Sequence, residues 1–68
     1  MEIFAKRLKE LREEKGYSAR HMGEVLEMNY RSYLDYEYFV SQPSLEILVK
    51  LAQFFNVTTD YLLGLAEV

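Results

Sequence analysis

The sequence predicts an all-α fold, a compact bundle of five short helices. Apolar residues recur every three or four positions in separate segments, which is the spacing that gathers them on one face of a helix. Serine, asparagine or threonine stands before four of these segments, where its side chain can cap a helix. The Tyr-Phe-Val run at residues 38–40 is too short for a strand and has no partner, so no sheet is expected.

The first helix is predicted over residues 2–15, with Gly16 as its C-terminal stop. Its inward face consists of Phe4, Leu8 and Leu11, with weaker contributions from Ile3 and Ala5. Its charged residues are expected to form a solvated face laced with ion pairs. These are Lys6, Arg7, Lys9, Arg12 and Lys15 with Glu10, Glu13 and Glu14.

The second and third helices are short and lie close together in the chain. Ser18 is the expected N-cap of a helix that runs through Leu26. Asn29 is the expected N-cap of the next helix, which runs through Glu37 or Tyr38. The inward side chains are Met22, Val25 and Leu26 in one helix and Tyr33 and Tyr36 in the other.

A loop over residues 38–43 precedes the fourth helix, because Pro43 disfavours helical geometry at the residue before it. Ser44 caps a helix that runs through Phe54 or Phe55, and Asn56 ends it. A short fifth helix starts at Thr58 or Thr59 and closes at Gly64. The inward residues of the fourth helix are Leu45, Leu48, Leu51, Ala52 and Phe55.

Length and composition narrow the class of protein. Residues 1–68 are expected to form one domain, and they include no cysteine for a disulfide or a thiolate metal site. With one histidine and no glycine-rich phosphate loop, no enzyme, metal, cofactor or small-molecule ligand is expected. No apolar run approaches the ~20 residues that span a bilayer, and charges interrupt any N-terminal signal. The sequence predicts a cytoplasmic protein.

Net charge is −3, from eight basic and eleven acidic residues. Modules that bind nucleic acid are usually basic, because neutralising phosphates supplies much of their affinity. Residues 17–40 carry two arginines against four acids and are no more basic than the rest of the chain. This charge balance counts against binding to nucleic acid.

The succession of helices resembles the lambda-repressor/Cro-like helix-turn-helix (XRE-type) family. The resemblance rests on RLKELREEKG at residues 7–16 and PSLEILVKLAQFFNVTTDYLLG at residues 43–64, at the family's separation. It covers residues 7–64 and implies that residues 18–37 are the helix-turn-helix motif, whose second helix reads the major groove of DNA. The implied protein is a sequence-specific transcriptional regulator, repressor-like, which as a homodimer binds a palindromic operator in double-stranded DNA.

The resemblance also implies roles for individual residues. Arg12 is expected to pair with Glu37 and to lock the reading helix onto the first helix, in a partly buried ion pair. The surplus apolar residues Phe54, Tyr61, Leu63 and Leu65 are candidates for a dimer interface. The expected DNA contacts come from Arg20, Asn29, Tyr30, Arg31, Ser32 and Leu34.

Three features depart from the family pattern. A polar residue, usually glutamine, opens the second helix of the motif in the family, and this chain has Ala19. The turn often has glycine, and this chain has Glu27. After the reading helix, where the family often has glycine and basic residues, this chain has the apolar run Tyr38, Phe39 and Val40.

Two alternatives remain open at this point. Arg31 can bridge a guanine O6 and N7, or it can pair with Asp35 four residues later. Residues 38–40 either fold back over the core or form an exposed apolar patch that contacts a protein. The second choice leads to the alternative function, a helix-turn-helix scaffold used as an adaptor or antirepressor through its aromatic surface at residues 30–40.

Overall fold

The computed structural model describes residues 2–68 and confirms the predicted all-α fold. Five helices and no strand are present in this part of the chain, within a body of 29 × 23 × 19 Å. The helices are α1 (Glu2–Lys15), α2 (Ala19–Leu26), α3 (Tyr30–Glu37), α4 (Leu45–Phe55) and α5 (Thr59–Leu62).

Local sequence accounts for where the helices begin and end. The Ser18 hydroxyl accepts a hydrogen bond from the His21 N–H at 3.0 Å, and Ser44 does the same for Ile47 at 3.2 Å. Thr58, one of the two predicted starts, caps α5 through the Tyr61 N–H at 2.9 Å. Such caps contribute about 1 kcal/mol each, because the first N–H groups of a helix have no partner within it.

The core contains residues of all five helices, with α3 packed against α1 and α2, and α5 packed against α1 and α4. Tyr33 is fully buried in the same cluster as leucines of α1, α4 and α5, and Tyr36 and Val25 are half-buried against that cluster. Most of the predicted inward residues are buried, including Phe4, Ala5, Leu8, Leu11, Met22, Leu26, Leu48, Leu51, Ala52 and Phe55.

Leu45 is a correction to the predicted core, because 82% of its surface is exposed. Its spacing from Leu48 gives it the right face of the helix, but it is the first residue of α4 and lies at the rim of a shallow groove. Phe4 and Leu63 line that groove, and no element within residues 2–68 covers it. Helical periodicity predicts which face of a helix is buried, but it does not predict at which residue along the helix axis the core ends.

The predicted solvated face is wrong for Arg7, and fewer apolar side chains are left at the surface than predicted. Arg7 does not belong to a solvated face: its guanidinium lies 4.2 Å from the centre of the Tyr61 ring and donates to the Ala66 carbonyl at 2.7 Å. Of the surplus apolar residues, Phe54, Tyr61 and Leu63 pack against the core, and only Leu65 is exposed, at 75%. None of the helices within residues 2–68 has the length and apolar character needed to cross a membrane.

Candidate nucleic-acid interface

The helix pair α2–α3 is held by a close backbone approach at Gly23. A Cβ atom at this position would lie 2.8 Å from the Met28 carbonyl oxygen and 3.2 Å from the Tyr30 Cα. Glycine in mid-helix costs about 1 kcal/mol relative to alanine, so its presence there signals a packing requirement. Gly23 was not among the residues predicted to matter, although the cost of a glycine in mid-helix was a usable signal.

The turn of the pair runs through Glu27, whose φ of 56° is in the left-handed region that favours glycine. Its backbone N–H donates to the Glu24 carbonyl at 3.2 Å and so closes the end of α2. The Glu27 side chain is largely exposed, and its carboxylate lies 3.7 Å from the Lys50 ammonium. Lys50 therefore offsets part of the negative charge that Glu27 places near the start of α3.

The first turn of α3 presents its polar side chains to solvent. Arg31 and Ser32 are exposed, and Asn29 is exposed while its Oδ1 accepts from the Arg31 N–H at 2.7 Å. Arg31 forms no ion pair with Asp35 or any other acid within residues 2–68, so its guanidinium is available for a ligand. Leu34, predicted to face outward, is half-buried against the core and offers only part of its side chain.

Arg20 and Tyr30 face each other across the turn. The guanidinium carbon of Arg20 lies 4.3 Å from the centre of the Tyr30 ring, within the range of a cation–π interaction. Tyr30, an expected DNA contact, is half-buried. Both residues line a shallow open groove beside the turn, together with Gly23, Glu24, Glu27, Met28 and Asn29.

A buried polar network joins α1 to the C-terminal end of α3. Arg12 Nε donates to Glu37 Oε2 at 2.6 Å and Arg12 Nη2 donates to Glu37 Oε1 at 3.0 Å, a bidentate pair. The Glu37 side chain is 1% exposed and that of Arg12 is 16% exposed. Arg12 also donates to the Tyr17 carbonyl at 2.9 Å, and the Tyr33 hydroxyl donates to Glu37.

The network shifts the protonation equilibria of its members. Burial first, and the hydrogen bond to Glu37 second, raise the pKa of the Tyr33 hydroxyl well above its ordinary value of 10.0. The hydrogen bond to Glu37 raises the pKa of Arg12, which keeps the guanidinium charged. The sequence pointed to Arg12 and Glu37 but not to Tyr33 or the Tyr17 carbonyl as partners. These contacts depend on how α1 and α3 pack.

Residues 38–40 form an exposed apolar patch, called the 38–40 patch below. Tyr38, Phe39 and Val40 are 65%, 53% and 70% exposed, so they do not fold back over the core. Phe39 has a φ of 62°, and the Val40 N–H after it donates to the Asp35 carbonyl at 2.9 Å, which terminates α3. An aromatic residue thus occupies a helix-ending position that glycine usually takes.

Ala19 opens α2 and is half-buried against the core, so it presents no polar group at this edge of the helix pair. Within residues 2–68, no cluster of three or more histidine, cysteine, aspartate or glutamate side chains could hold a metal ion. The exposed polar side chains of the helix pair include Arg20, Asn29, Arg31 and Ser32.

The helices α2 and α3 have eight residues each, pack closely at Gly23 and are joined by a short turn. Together with the exposed polar first turn of α3, this arrangement defines a helix-turn-helix module. The family model for helix-turn-helix matches residues 8–62, and the chain belongs to that family. This match confirms the resemblance that the sequence motifs indicate.

Three curated relatives from Bacillus subtilis (strain 168) are similar to the chain. The HTH-type transcriptional regulator ImmR is 41% identical over 93% of this chain and 50% of its own length. The SPbeta prophage-derived uncharacterized HTH-type transcriptional regulator YonR is 39% identical over 90% of this chain and 56% of its own. The HTH-type transcriptional regulator AnsR is 41% identical over 85% and 50%. The chain spans about half the length of these relatives.

Proposed function

We propose that the chain is the DNA-binding part of a cytoplasmic transcriptional regulator, repressor-like and without catalytic activity. The observation that carries this function is the exposed first turn of α3, where Arg31 has no ion-pair partner within residues 2–68. A buried ion pair between Arg12 and Glu37 holds the other end of the same helix. Relatives named as transcriptional regulators support the proposal.

In this function α3 lies in the major groove of double-stranded DNA. Arg31 reads a guanine through its two parallel N–H groups, and Ser32 and the Asn29 amide contact phosphates. Arg20 adds a phosphate contact from α2. The exposed part of Leu34 would touch a thymine methyl in the same groove.

A homodimer on a palindromic operator would place two copies of α3 in successive major grooves, one helical turn apart. Leu65, the exposed member of the surplus apolar residues, supports such a contact between copies. A dimer also compensates for the low basic charge of each copy, because phosphate contacts from two protomers act on one duplex.

A salt titration tests the DNA-binding function. Each protomer is expected to contact phosphates through Arg20, Asn29 and Ser32, and only Arg20 is cationic. The affinity for duplex DNA should therefore depend only weakly on salt concentration. The two Arg20 side chains of a dimer neutralise two phosphates, which predicts a slope of log K against log salt of about −2. The measurement uses operator-length duplexes from around its own gene, with shuffled duplexes as the control. Absence of duplex binding at low salt would exclude the function.

The exposed 38–40 patch favours a second candidate function, contact with a protein as an adaptor or antirepressor. Tyr38, Phe39 and Val40 are exposed, and Phe39 adopts a backbone conformation that is costly for an aromatic residue. Tyr30 and Leu34 offer less to this surface, because both are half-buried. In this function, Phe39→Ser abolishes partner binding and leaves duplex binding unchanged, whereas Arg31→Ala has the opposite effect.

A further inference from the structure

The contact between Arg20 and Tyr30 joins the N-terminal ends of both helices of the motif. Arg20 lies in the first turn of α2, and Tyr30 is the first residue of α3. The guanidinium carbon lies 4.3 Å from the ring centre, which is within the range of a cation–π interaction. This contact restrains a long side chain that would otherwise sample many rotamers.

Arg20 contacts the Tyr30 ring although an acidic residue lies four positions later on the same helix. Glu24 follows Arg20 by four residues on α2, the spacing at which opposite charges usually meet on a helix. Both residues line the same groove, yet no ion pair of Arg20 is present within residues 2–68. Within residues 2–68, the Arg20 guanidinium therefore contacts the Tyr30 ring and forms no ion pair with the Glu24 carboxylate.

Stacking leaves the binding groups of the guanidinium free. Its five N–H donors lie in the plane of the group, and a cation–π contact does not use them as hydrogen-bond donors. Arg20 is the single cation among the residues that line this groove, beside Glu24 and Glu27. A fixed planar cation with free donors fits a phosphate oxygen pair, whose binding would offset the local negative charge.

We propose that Arg20 binds a DNA phosphate and that Tyr30 is a positioning residue, which acts by holding Arg20 and does not read a base. The inference rests on the proposed DNA-binding function and gives the two residues a joint role. It also supplies a phosphate contact at the edge of α2 where Ala19 has no polar group.

A double-mutant cycle in duplex binding tests this joint role. Arg20→Ala is expected to weaken binding about 3- to 10-fold and to make the salt slope shallower by about 1 for each Arg20 lost. Tyr30→Leu removes the ring and is expected to weaken binding about 2- to 5-fold, with the sequence preference unchanged. The double variant should bind within about twofold of Arg20→Ala alone, because the ring acts through the arginine.

Two conservative variants separate stacking from other effects of substitution. Tyr30→Phe keeps the ring and should retain wild-type affinity, whereas direct hydrogen bonding by the hydroxyl would make this variant weak. Arg20→Lys keeps the charge but loses the planar fork, so the salt slope should persist while affinity falls. Thermal unfolding of each variant establishes that the fold is intact.

The proposal is overturned if Tyr30→Leu weakens binding by the same factor with and without Arg20→Ala, or if it changes the preferred base at one position. Either result would mean that Tyr30 contacts DNA itself. The proposed function is tested separately: if the wild-type protein binds no duplex, both proposals fail. If it binds and Arg31→Ala weakens it while the effects of Arg20 and Tyr30 simply add, only the joint role fails.

Discussion

Arg31 is the one arginine without an ion pair or a ring contact among residues 2–68. Arg7 is held by backbone carbonyls and the Tyr61 ring, Arg12 by Glu37, and Arg20 by a tyrosine ring. Arg31 is exposed in the first turn of α3, with no ion pair in the described part of the chain. An arginine placed in this way can form both hydrogen bonds to a guanine without first breaking an internal contact.

Arg31→Ala is therefore expected to lower affinity for an operator duplex by about 1–3 kcal/mol and to relax the sequence preference at one base pair. Binding to a set of duplexes, each with one substituted base pair, measures both effects. Glu10→Ala, an exposed change on α1, is the control and should bind as the wild-type protein does. Equal affinity and an unchanged base preference in Arg31→Ala would contradict the assignment.

Glu27 has a left-handed backbone conformation, with a φ of 56°, which is unfavourable for a residue other than glycine. Left-handed geometry costs a non-glycine residue about 1–2 kcal/mol, while glycine adds entropy to the unfolded chain. Glu27→Gly is thus expected to raise the free energy of unfolding by about 0.5–1 kcal/mol, even with its contact to Lys50 lost. Chemical denaturation measures the change.

Glu27→Gln is the matched variant, because it removes the charge but keeps the Cβ atom. We expect its stability to stay within about 0.5 kcal/mol of the wild-type protein. Both Glu27 variants should bind DNA more tightly, since each removes a negative charge near the phosphates. If the glutamine variant is stabilised as much as the glycine variant, charge and not backbone conformation is the cause.

At the scale of elements, the angle between α2 and α3 depends on the absence of a side chain at Gly23. The atoms that a Cβ would meet belong to the backbone of the turn, so they cannot move aside without shifting α3. Gly23→Ala is expected to lower the free energy of unfolding by about 1–2 kcal/mol, after the helix propensity of alanine is counted. DNA affinity should fall with it.

The neighbouring change Glu24→Ala is the control for Gly23→Ala, because Glu24 is exposed on the same helix. Its stability should remain within about 0.5 kcal/mol of the wild-type protein. A stabilised Gly23→Ala variant would show that helix propensity outweighs the close approach and would remove the argument for a packing role.

The bidentate pair between Arg12 and Glu37 attaches α3 to α1 at the end opposite to Arg31. Glu37→Ala leaves Arg12 without its anion and the Tyr33 hydroxyl without its acceptor, so we expect a loss of about 3 kcal/mol. Urea unfolding measures the loss, and duplex binding reports whether α3 stays in place.

The double variant Arg12→Met with Glu37→Leu separates the pair from its unpaired charges. Apolar replacement of a buried ion pair often restores stability, so this variant should recover much of what Glu37→Ala loses. Glu13→Ala, on the exposed face of α1, is the matched control. A loss of less than about 1 kcal/mol in Glu37→Ala would mean that the network does not hold α3.

For the whole molecule, a chain of 68 residues has a small core and correspondingly little stability to spare. Tyr33 lies at the centre of this core, and its hydroxyl is bonded to Glu37. Deprotonation of Tyr33 would place two negative charges together in a buried site. The integrity of the entire fold is therefore linked to the protonation of this one group.

The raised pKa of Tyr33 predicts lower stability at alkaline pH. The folded state binds the tyrosine proton more tightly than the unfolded chain, so its stabilisation is complete below about pH 10 and is lost as pH rises above that value. The unfolding midpoint should fall more steeply above about pH 10 in the wild-type protein than in Tyr33→Phe. Parallel slopes in the two proteins would exclude Tyr33 as the linked group.

The helices themselves could be predicted from the sequence because their ends depend on neighbouring residues. The bonds from Ser18 to the His21 N–H and from Thr58 to the Tyr61 N–H span three residues each. Asn56 ends α4 in the left-handed conformation, a property of that residue and its neighbours. The exposed polar turn of α3 was likewise indicated by the position of its residues within the motif.

The sequence by itself determined the five helices, their caps and most of their inward faces, because those features follow from local bonds and periodicity. Only the tertiary structure decided that Leu45 lies outside the core, that Arg7 reaches the C-terminal carbonyls, and that Gly23 meets the turn. It also decided that Tyr30 is covered by Arg20. These features depend on contacts between different segments of the chain. Helical periodicity does not predict such contacts, because they form only when the helices pack.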